Sequence, residues 1–226
     1  MVSAQKEALQ WRSSVEANKK IVIIGAGGHG AVIIDLIETI YKGKQLPEIE
    51  LLDDGVPSGT VLYGKNVVGK VADCTAYPEG TEFIIAIGNN RIRKRIAEQY
   101  PLNYVTFIHP SAVVGRNVSL GQGTVVMANA VINCESQIGD HCIINTAATV
   151  DHENVIEDYV HLSPGVHLGG CVKVGECSWV GIGSTVIQGI SIGESATVGA
   201  GTVVIRNVSS GTTVVGNPAR VLYDRK

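Results

Sequence analysis

A histidine flanked by two carboxylates is the most chemically capable group in the sequence. Asp151, His152 and Glu153 are consecutive, and a carboxylate beside an imidazole fixes its tautomer and raises its basicity. A histidine held in this way suits a general base that works near neutral pH. The alternative interpretation, a solvated polar edge, stays open on these residues alone.

A glycine-rich segment follows the first apolar run of the chain. Gly25, Gly27 and Gly30 are spaced as G-x-G-x-x-G, which lets the backbone approach a phosphate at the N-terminus of a helix. Asp53 and Asp54 end the next apolar run and could accept hydrogen bonds from a ribose or a base. The segment predicts a nucleotide site, while a glycine-rich turn without a ligand stays open as the alternative.

The elements around these glycines alternate between strands and helices. We expect strands at 21–24, 49–52, 83–87 and 104–107, with helices at 31–41 and 91–99. This alternation is typical of a small, Rossmann-like parallel α/β domain. Its length of about 85 residues is too short for a full dinucleotide domain. A mononucleotide or a nucleotide sugar is therefore favoured over NAD.

A six-residue period occupies the rest of the chain. Every sixth residue from Ile108 to Val204 is Ile, Leu or Val. The residues four positions after these aliphatic residues form a second series, most of whose members are small or aliphatic. Asn154 is the only asparagine in this second series. Three such hexads close one coil of a β-helix, whose stacked coils bury the aliphatic side chains in columns. A non-enzymatic solenoid would show a repeated outward ladder of threonine or charge, which this repeat lacks.

The two patterns divide the chain into four segments. We expect an N-terminal extension at 1–20, a nucleotide-sugar-binding α/β domain at 21–107, a β-helix at 108–215 and a C-terminal tail at 216–226. The composition changes near residue 108, where the hexads begin.

Charge and composition exclude several classes of function. The 226 residues carry a formal net charge of -3, so we expect no nucleic-acid binding. The chain has no apolar run of about 20 residues and no apolar h-region near its start, so we expect neither a membrane span nor a signal peptide. The five cysteines are odd in number and lack CxxC spacing, which predicts reduced thiols in the cytoplasm rather than a zinc cluster.

Taken together, these motifs resemble the bacterial nucleotide-amino-sugar N-acetyltransferases and the related sialic acid O-acetyltransferases, which are hexapeptide-repeat acyltransferases. The resemblance spans nearly the whole chain after Lys20. It is carried by IVIIGAGGHG at 21–30, LLDD at 51–54, FIIAIGNNRIRKRI at 83–96, INTAATVDHENVIEDYVHLSPG at 144–165 and GNPAR at 216–220. It implies a left-handed parallel β-helix and a homotrimer with acetyl-CoA between neighbouring subunits.

The resemblance also implies roles for individual residues. His152 would be the general base and Glu153 would hold its imidazole, while His161 and the backbone N–H of Gly170 would act at the acetyl-CoA end. The residues implied to contact the nucleotide sugar are Gly25, Gly27, Gly28, His29, Gly30, Asp53, Asp54, Gly88, Asn89 and Asn145. No metal is expected, because the spacing of His152, His161 and His167 does not reproduce the zinc site of hexapeptide-repeat carbonic anhydrases.

The implied reaction is transfer of an acetyl group from acetyl-CoA to the amine of a UDP- or GDP-linked 4-amino-4,6-dideoxy sugar, in bacterial glycan biosynthesis. O-acetylation of a sialic acid is the near alternative, although an acceptor without a nucleotide would not need Gly25 to Gly30 or the Asp53–Asp54 pair. A non-catalytic β-helix that binds or scaffolds other molecules is the distant alternative.

Overall fold

The computed structural model describes residues 19–222. The chain divides into two compact units between Phe107 and Ile108. Most of the expected extension at 1–20 and the last four residues of the expected tail lie outside the described residues. Neither α-helix of the described part has the length and apolar character that crossing a membrane requires.

The first unit is a five-stranded sheet with two α-helices. Its elements in chain order are β1 (Lys20–Ile24), α1 (Gly28–Ile40), β2 (Glu48–Leu52), β3 (Val61–Leu62), β4 (Lys65–Gly69), a 3-10 helix (Val71–Ala76), β5 (Glu82–Ile85) and α2 (Asn90–Gln99). The strand order is β3-β4-β2-β1-β5, and all neighbours are parallel except β3 and β4. The carboxyl ends of β1, β2 and β5 therefore meet at one edge of the sheet.

The buried residues of this unit follow the spacing that its strands and helices require. Ile21 to Ile24 of β1 are completely buried, as expected for a central parallel strand covered on both faces. In α1, Ile33, Leu36 and Ile37 are buried, which is the i, i+3, i+4 spacing of one apolar helix face. The predicted small α/β domain is confirmed.

Three details of the first unit differ from the sequence prediction. The strand expected at 104–107 is wrong: Tyr104 makes one isolated bridge to Phe83, and Phe107 belongs to a separate short strand. The turn-rich stretch after residue 57 contains β3 and β4, which the alternation of strands and helices did not predict. Helix α1 begins at Gly28 rather than at residue 31, because glycine without a Cβ atom still accepts helical dihedrals.

The second unit is a parallel β-helix of very short strands. They are β6 (Phe107–Ile108), β7 (Val113–Val114), β8 (Ser119–Leu120), β9 (Val125–Val126), β10 (Val131–Ile132), β11 (Gln137–Ile138), β12 (Ile143–Ile144), β13 (Thr149–Val150), β14 (Val155–Ile156), β15 (His161–Leu162), β16 (His167–Leu168), β17 (Lys173–Val174), β18 (Trp179–Val180), β19 (Thr185–Val186), β20 (Ser191–Ile192), β21 (Thr197–Val198), β22 (Val203–Val204), β23 (Thr213–Val215) and β24 (Arg220–Val221).

From β6 to β22 every third strand joins the same sheet, so one coil takes 18 residues; at the end of the unit β21 pairs with β23. The three sheets run β7-β10-β13-β16-β19-β22, β8-β11-β14-β17-β20, and β6-β9-β12-β15-β18-β21-β23-β24. Only β24 is antiparallel to its neighbour, β23. In β6 to β23 the second residue of each strand points inward, and these aliphatic side chains form one continuous core, whereas Val221 of β24 is exposed. The predicted six-residue ladder is confirmed as the source of this fold.

Several small inward residues are polar and fully buried. The hydroxyls of Thr124, Ser178 and Ser184 each donate to a carbonyl fifteen residues later in the chain. Each hydroxyl thereby ties one corner of a coil to the coil that follows, which satisfies a buried polar group as packing requires.

Candidate active site

His152 and Glu153 lie at the corner between β13 and β14. The imidazole Nδ1 lies 2.9 Å from the Oε2 atom of Glu153, and about half of each side chain is exposed. Because a carboxylate only accepts hydrogen bonds, Nδ1 carries the proton and Nε2 of the neutral ring keeps its lone pair. The pair therefore presents a basic nitrogen that a solute can reach.

Buried hydrogen bonds fix the backbone of this corner. The amide Nδ2 of Asn154 donates to the carbonyls of Asp151 at 2.6 Å and Gly169 at 3.1 Å, while its Oδ1 accepts from the N–H of Val172. The Asp151 carboxylate accepts from Asn133 and from the N–H of His152, and these two bonds lower the pKa of Asp151. The one asparagine in the small inward column thus anchors the corner that carries His152.

Gly170 lies beside the imidazole on the next coil. A Cβ atom at this residue would be 2.5 Å from the Nε2 atom of His152. The neighbouring N–H of Cys171 donates to the carbonyl of His152 at 2.9 Å. The Gly170 N–H itself has no hydrogen-bond partner among residues 19–222, so a free donor and a free acceptor adjoin at this corner.

His161 and Asn145 lie elsewhere on the prism. His161 is in β15 and belongs to a different sheet from β13 and β14. Its Nε2 lies 3.1 Å from the Nδ2 of Asn145, and its ring stacks on Trp179 with centroids 5.8 Å apart. The structure therefore brings Asn145 and His161 to each other, but one chain does not bring them to His152.

The glycine segment of the first unit forms a tight turn into α1. Gly25 has a φ of +109°, and Gly27 is the N-cap without a side-chain hydrogen bond. Gly28, His29 and Gly30 form the first turn of the helix rather than a loop. A Cβ at Gly30 would be 2.5 Å from the carbonyl oxygen of Gly25, whereas Gly27 and Gly28 border open space.

Asp53 and Asp54 hold backbone groups of their own unit. The Asp53 carboxylate accepts from the N–H of Ala26 at 2.7 Å and of Gly55 at 2.8 Å. Asp54 accepts from the N–H of Val71 at 3.0 Å and lines a cavity of about 500 Å³ with 55–58, 68–70 and Asp73. Of the ten residues expected to contact the nucleotide sugar, Asp54 alone lines this cavity.

A buried arginine that the sequence analysis did not single out lies behind the glycine segment. Arg93 is 1% exposed and donates to the carbonyl of Ile87 and to the Oδ1 of Asn90, both at 2.9 Å. Burial, followed by the charge of Arg93, lowers the pKa of His29 to about 4. The sequence feature that could have predicted the burial of Arg93 is its position on the apolar face of α2, three residues before the buried Ile96.

Gly88 and Asn89 lie in the turn that Arg93 holds. Asn89 is the N-cap of α2, and its Oδ1 accepts from the N–H of Ile92 at 3.0 Å. Arg93 also approaches the carbonyl of Gly88 at 3.4 Å. The carboxyl ends of β1, β2 and β5 thus carry all the predicted nucleotide-binding residues of the first unit.

Known proteins share both units. Residues 20–100 match the PglD N-terminal domain. The chain is 31% identical to GDP-perosamine N-acetyltransferase of Escherichia coli O157:H7 over 172 residues, which are 74% of this chain and 78% of that protein. The chain belongs to the nucleotide-amino-sugar N-acetyltransferase family. A second member, UDP-N-acetylbacillosamine N-acetyltransferase of Bacillus subtilis, is 42% identical over 49% of this chain and about half of its own length, 52%.

A solved structure extends this relationship to the fold. The acetyltransferase domain of PglB from Neisseria gonorrhoeae, in complex with acetyl coenzyme A, matches with a TM-score of 0.84 and 40% identity over 91% of this chain and 100% of that one. The expected left-handed β-helix, the family and the enzyme class, an acetyltransferase, are confirmed. The ligand of that structure is the acyl donor that the sequence resemblance implied.

Proposed function

We propose that this family member transfers the acetyl group of acetyl-CoA to the amine of a nucleotide-activated 4-amino-4,6-dideoxy sugar, with His152 as the general base. One observation carries the proposal: the Nδ1–Glu153 bond leaves the Nε2 of His152 free, next to the unpartnered N–H of Gly170. The named substrates of the relatives, GDP-perosamine and UDP-N-acetylbacillosamine, set the class of acceptor.

The chemistry needs a base, an oxyanion donor and no further reagent. The sugar amine attacks the thioester carbonyl carbon, and the Nε2 of His152 accepts the proton that the amine loses. Glu153 holds the other ring nitrogen and stabilises the imidazolium that forms. The Gly170 N–H donates to the oxyanion of the tetrahedral intermediate. When the C–S bond breaks, the coenzyme A thiolate leaves and takes the proton from the imidazolium.

The nucleotide is proposed to bind at the strand ends of the first unit. The N–H groups of Gly28, His29 and Gly30 are in the first turn of α1, where a helix has no internal acceptors and a positive dipole end. A Cβ atom at Gly27 or Gly28 would meet nothing within 4 Å, and this open space supports binding of a phosphate to these donors. The Asp53 carboxylate shapes the turn through the N–H of Ala26, and the residues proposed to contact the nucleoside are Asp54, Gly88 and Asn89.

A homotrimer is proposed because one chain leaves the site divided. His152 lies at a corner, whereas His161 and Asn145 lie on another sheet beside the half-exposed Trp179. A neighbouring subunit that offers its His161 face to this corner would complete the acetyl-CoA site. Light scattering on the purified protein tests this: a mass of three chains supports the proposal, and a monomer that transfers acetyl groups at full rate contradicts it.

The cytoplasm is the proposed compartment. All five cysteines are free thiols in the structure, and unpaired cysteines are typical of a reducing compartment. Acetyl-CoA as the donor agrees with that assignment.

The decisive experiment is an acetyl-transfer assay with a panel of UDP- and GDP-linked 4-amino sugars. The released coenzyme A thiol is followed in time, and mass spectrometry locates the new acetyl group. N-acetylation of a nucleotide-linked amine supports the proposal. Transfer to a sialic acid hydroxyl alone would favour the O-acetyltransferase alternative, and acetyl-CoA binding without transfer to any acceptor would favour a binding protein.

A further inference from the structure

Cys171 adds a third metal-binding atom to the His152–Glu153 pair. It stands one coil after Glu153 in the same turn position, and its side chain is exposed. Its Sγ lies 3.8 Å from the Oε2 of Glu153, which lies 2.9 Å from the Nδ1 of His152. The three donor atoms all lie within 4.8 Å of one another.

The backbone holds these residues in place before any ligand arrives. Glu153 and Cys171 have left-handed φ values of +56° and +58°, so their side chains leave the stacked turns in the same direction. The N–H of Cys171 donates to the carbonyl of His152, and the N–H of Glu153 donates to the carbonyl of Cys134. An ion could therefore bind through small side-chain rotations alone.

The donor set suits zinc rather than magnesium or calcium. Zinc binds thiolate, imidazole and carboxylate together, whereas the harder cations prefer oxygen alone. Zinc bonds of about 2.0–2.3 Å in a tetrahedron place donor atoms about 3.3–3.6 Å apart. The observed separations of 2.9 Å and 3.8 Å lie on either side of that range. A water molecule would complete the coordination.

We propose that His152, Glu153 and Cys171 bind Zn²⁺ and that the bound ion inhibits acetyl transfer. The inhibition rests on the proposed function, in which His152 is the base. A metal ion that takes the Nδ1 lone pair shifts the proton of the neutral ring to Nε2 and also takes the Glu153 carboxylate, so Nε2 becomes an N–H donor with no lone pair to accept a proton from the amine. Binding also releases the thiol proton of Cys171.

The metal site is tested first without any enzyme assay. Purified protein, freed of metal by a chelator, is titrated with Co²⁺, which reports a thiolate ligand by a near-ultraviolet charge-transfer band. We expect the band in the wild type and in Cys177→Ser, the matched control whose cysteine has the same φ of +58° at another corner. We expect Cys171→Ser to lack the band and to bind Zn²⁺ at least about tenfold more weakly.

Activity then tests the inhibition. Zinc concentrations that stop acetyl transfer by the wild type and by Cys177→Ser should leave Cys171→Ser with most of the rate it shows in chelator, and added chelator should restore the wild type. Equal inhibition of both cysteine variants would overturn the inhibitory role. A cobalt band that persists in Cys171→Ser, or no band in the wild type, would overturn the site. If no acetyl transfer is found at all, the proposed function fails while the cobalt titration still decides the site.

Discussion

The imidazole of His152 lies against Gly170, with Nε2 only 2.5 Å from the position that a Cβ atom would occupy. Real Cβ atoms do not approach nitrogen so closely, so any side chain at residue 170 must displace the ring. The adjacent Gly169 differs, because a Cβ there would lie 2.7 Å from the backbone nitrogen of Gln188. Gly170 thus makes room for the His152 side chain, and Gly169 makes room for the backbone of the next coil.

This contrast predicts opposite effects for two alanine variants. Gly170→Ala should lower kcat by about 10²-fold, since a displaced base loses much of its general-base contribution, while Tm changes little. Gly169→Ala should destabilise the fold by about 1–3 kcal/mol, because two coils must move apart. Steady-state kinetics and thermal unfolding of both variants check the pair. Full activity of Gly170→Ala would show that the ring position does not matter.

Removing the base itself should be more severe. His152→Ala is expected to lower kcat by about 10²–10⁴-fold, with an unchanged circular dichroism spectrum, because the side chain is half-exposed and packs in no core. The measurement is acetyl transfer at saturating donor and acceptor. A folded variant that turns over near the wild-type rate would refute the assignment.

Asn154 should matter for both stability and rate. Asn154→Val leaves the carbonyl of Gly169 and the N–H of Val172 without their partner, while the carbonyl of Asp151 keeps its bond from the Ser136 hydroxyl. An unsatisfied buried polar group costs about 1–3 kcal/mol. Because the same bonds anchor the His152 corner, kcat should fall at least about tenfold. Ser184→Ala is the control, since its buried hydroxyl makes the same kind of bond, to the carbonyl of Gly199, at a corner without proposed site residues. It should lose stability and keep kcat, and an equal loss of kcat in the control would contradict the anchoring role.

The glycine segment offers a second matched pair. Gly28→Ala places a methyl group in open space at the start of α1, so Tm should not fall, while the KM for the nucleotide sugar should rise about tenfold or more if a phosphate binds there. Gly30→Ala forces a Cβ to within 2.5 Å of the Gly25 carbonyl and should lower Tm by several degrees. A Gly28→Ala enzyme with unchanged KM would move the phosphate away from this helix.

Acid should weaken the first unit through His29. Its pKa of about 4 in the folded protein lies below the value of 6.5 expected in an unfolded chain, so unfolding takes up a proton. The neutral ring contributes fully above pH 6.5, and its contribution declines as the pH falls towards 4. Between pH 7 and pH 5 the loss is about 2 kcal/mol. Denaturant unfolding of the wild type and His29→Gln at both pH values measures it. The variant should lose less stability, and equal losses would rule out His29 as the source.

The repeats could be predicted from local sequence because each hexad contains the aliphatic residue that its own strand buries. The inward Ile, Leu and Val residues, one per strand, fix both the strand and the face that it buries, so the ladder from Ile108 to Val204 needed no knowledge of distant residues. The strand at 104–107 failed because its apolar character does not distinguish a ladder from the single bridge between Tyr104 and Phe83.

Contacts that depend on stacking were beyond the sequence. Cys171 meets Glu153 because a coil takes 18 residues and both residues lie in left-handed turns. The six-residue period of the aliphatic residues predicts the core, and it does not predict which side chains meet at the corners. Asp53 was expected to face a nucleotide, and its carboxylate is bound to the N–H of Ala26. A charged residue such as Arg93 is expected at the surface, so its burial was not predicted, although its spacing from Ile96 places it on the apolar face of α2.

The 18-residue coil also restricts how this protein can change in length. An insertion of six residues between His152 and Gly170 would rotate everything after it by one face, and the two residues would no longer share a corner. A whole added coil keeps every later residue on its face and lengthens the prism by about 4.8 Å. Inserted segments of other sizes can be accommodated only by bulging outward from a corner. Relatives with this fold should therefore differ in length by whole coils, and loops of irregular length should occur only at the corners.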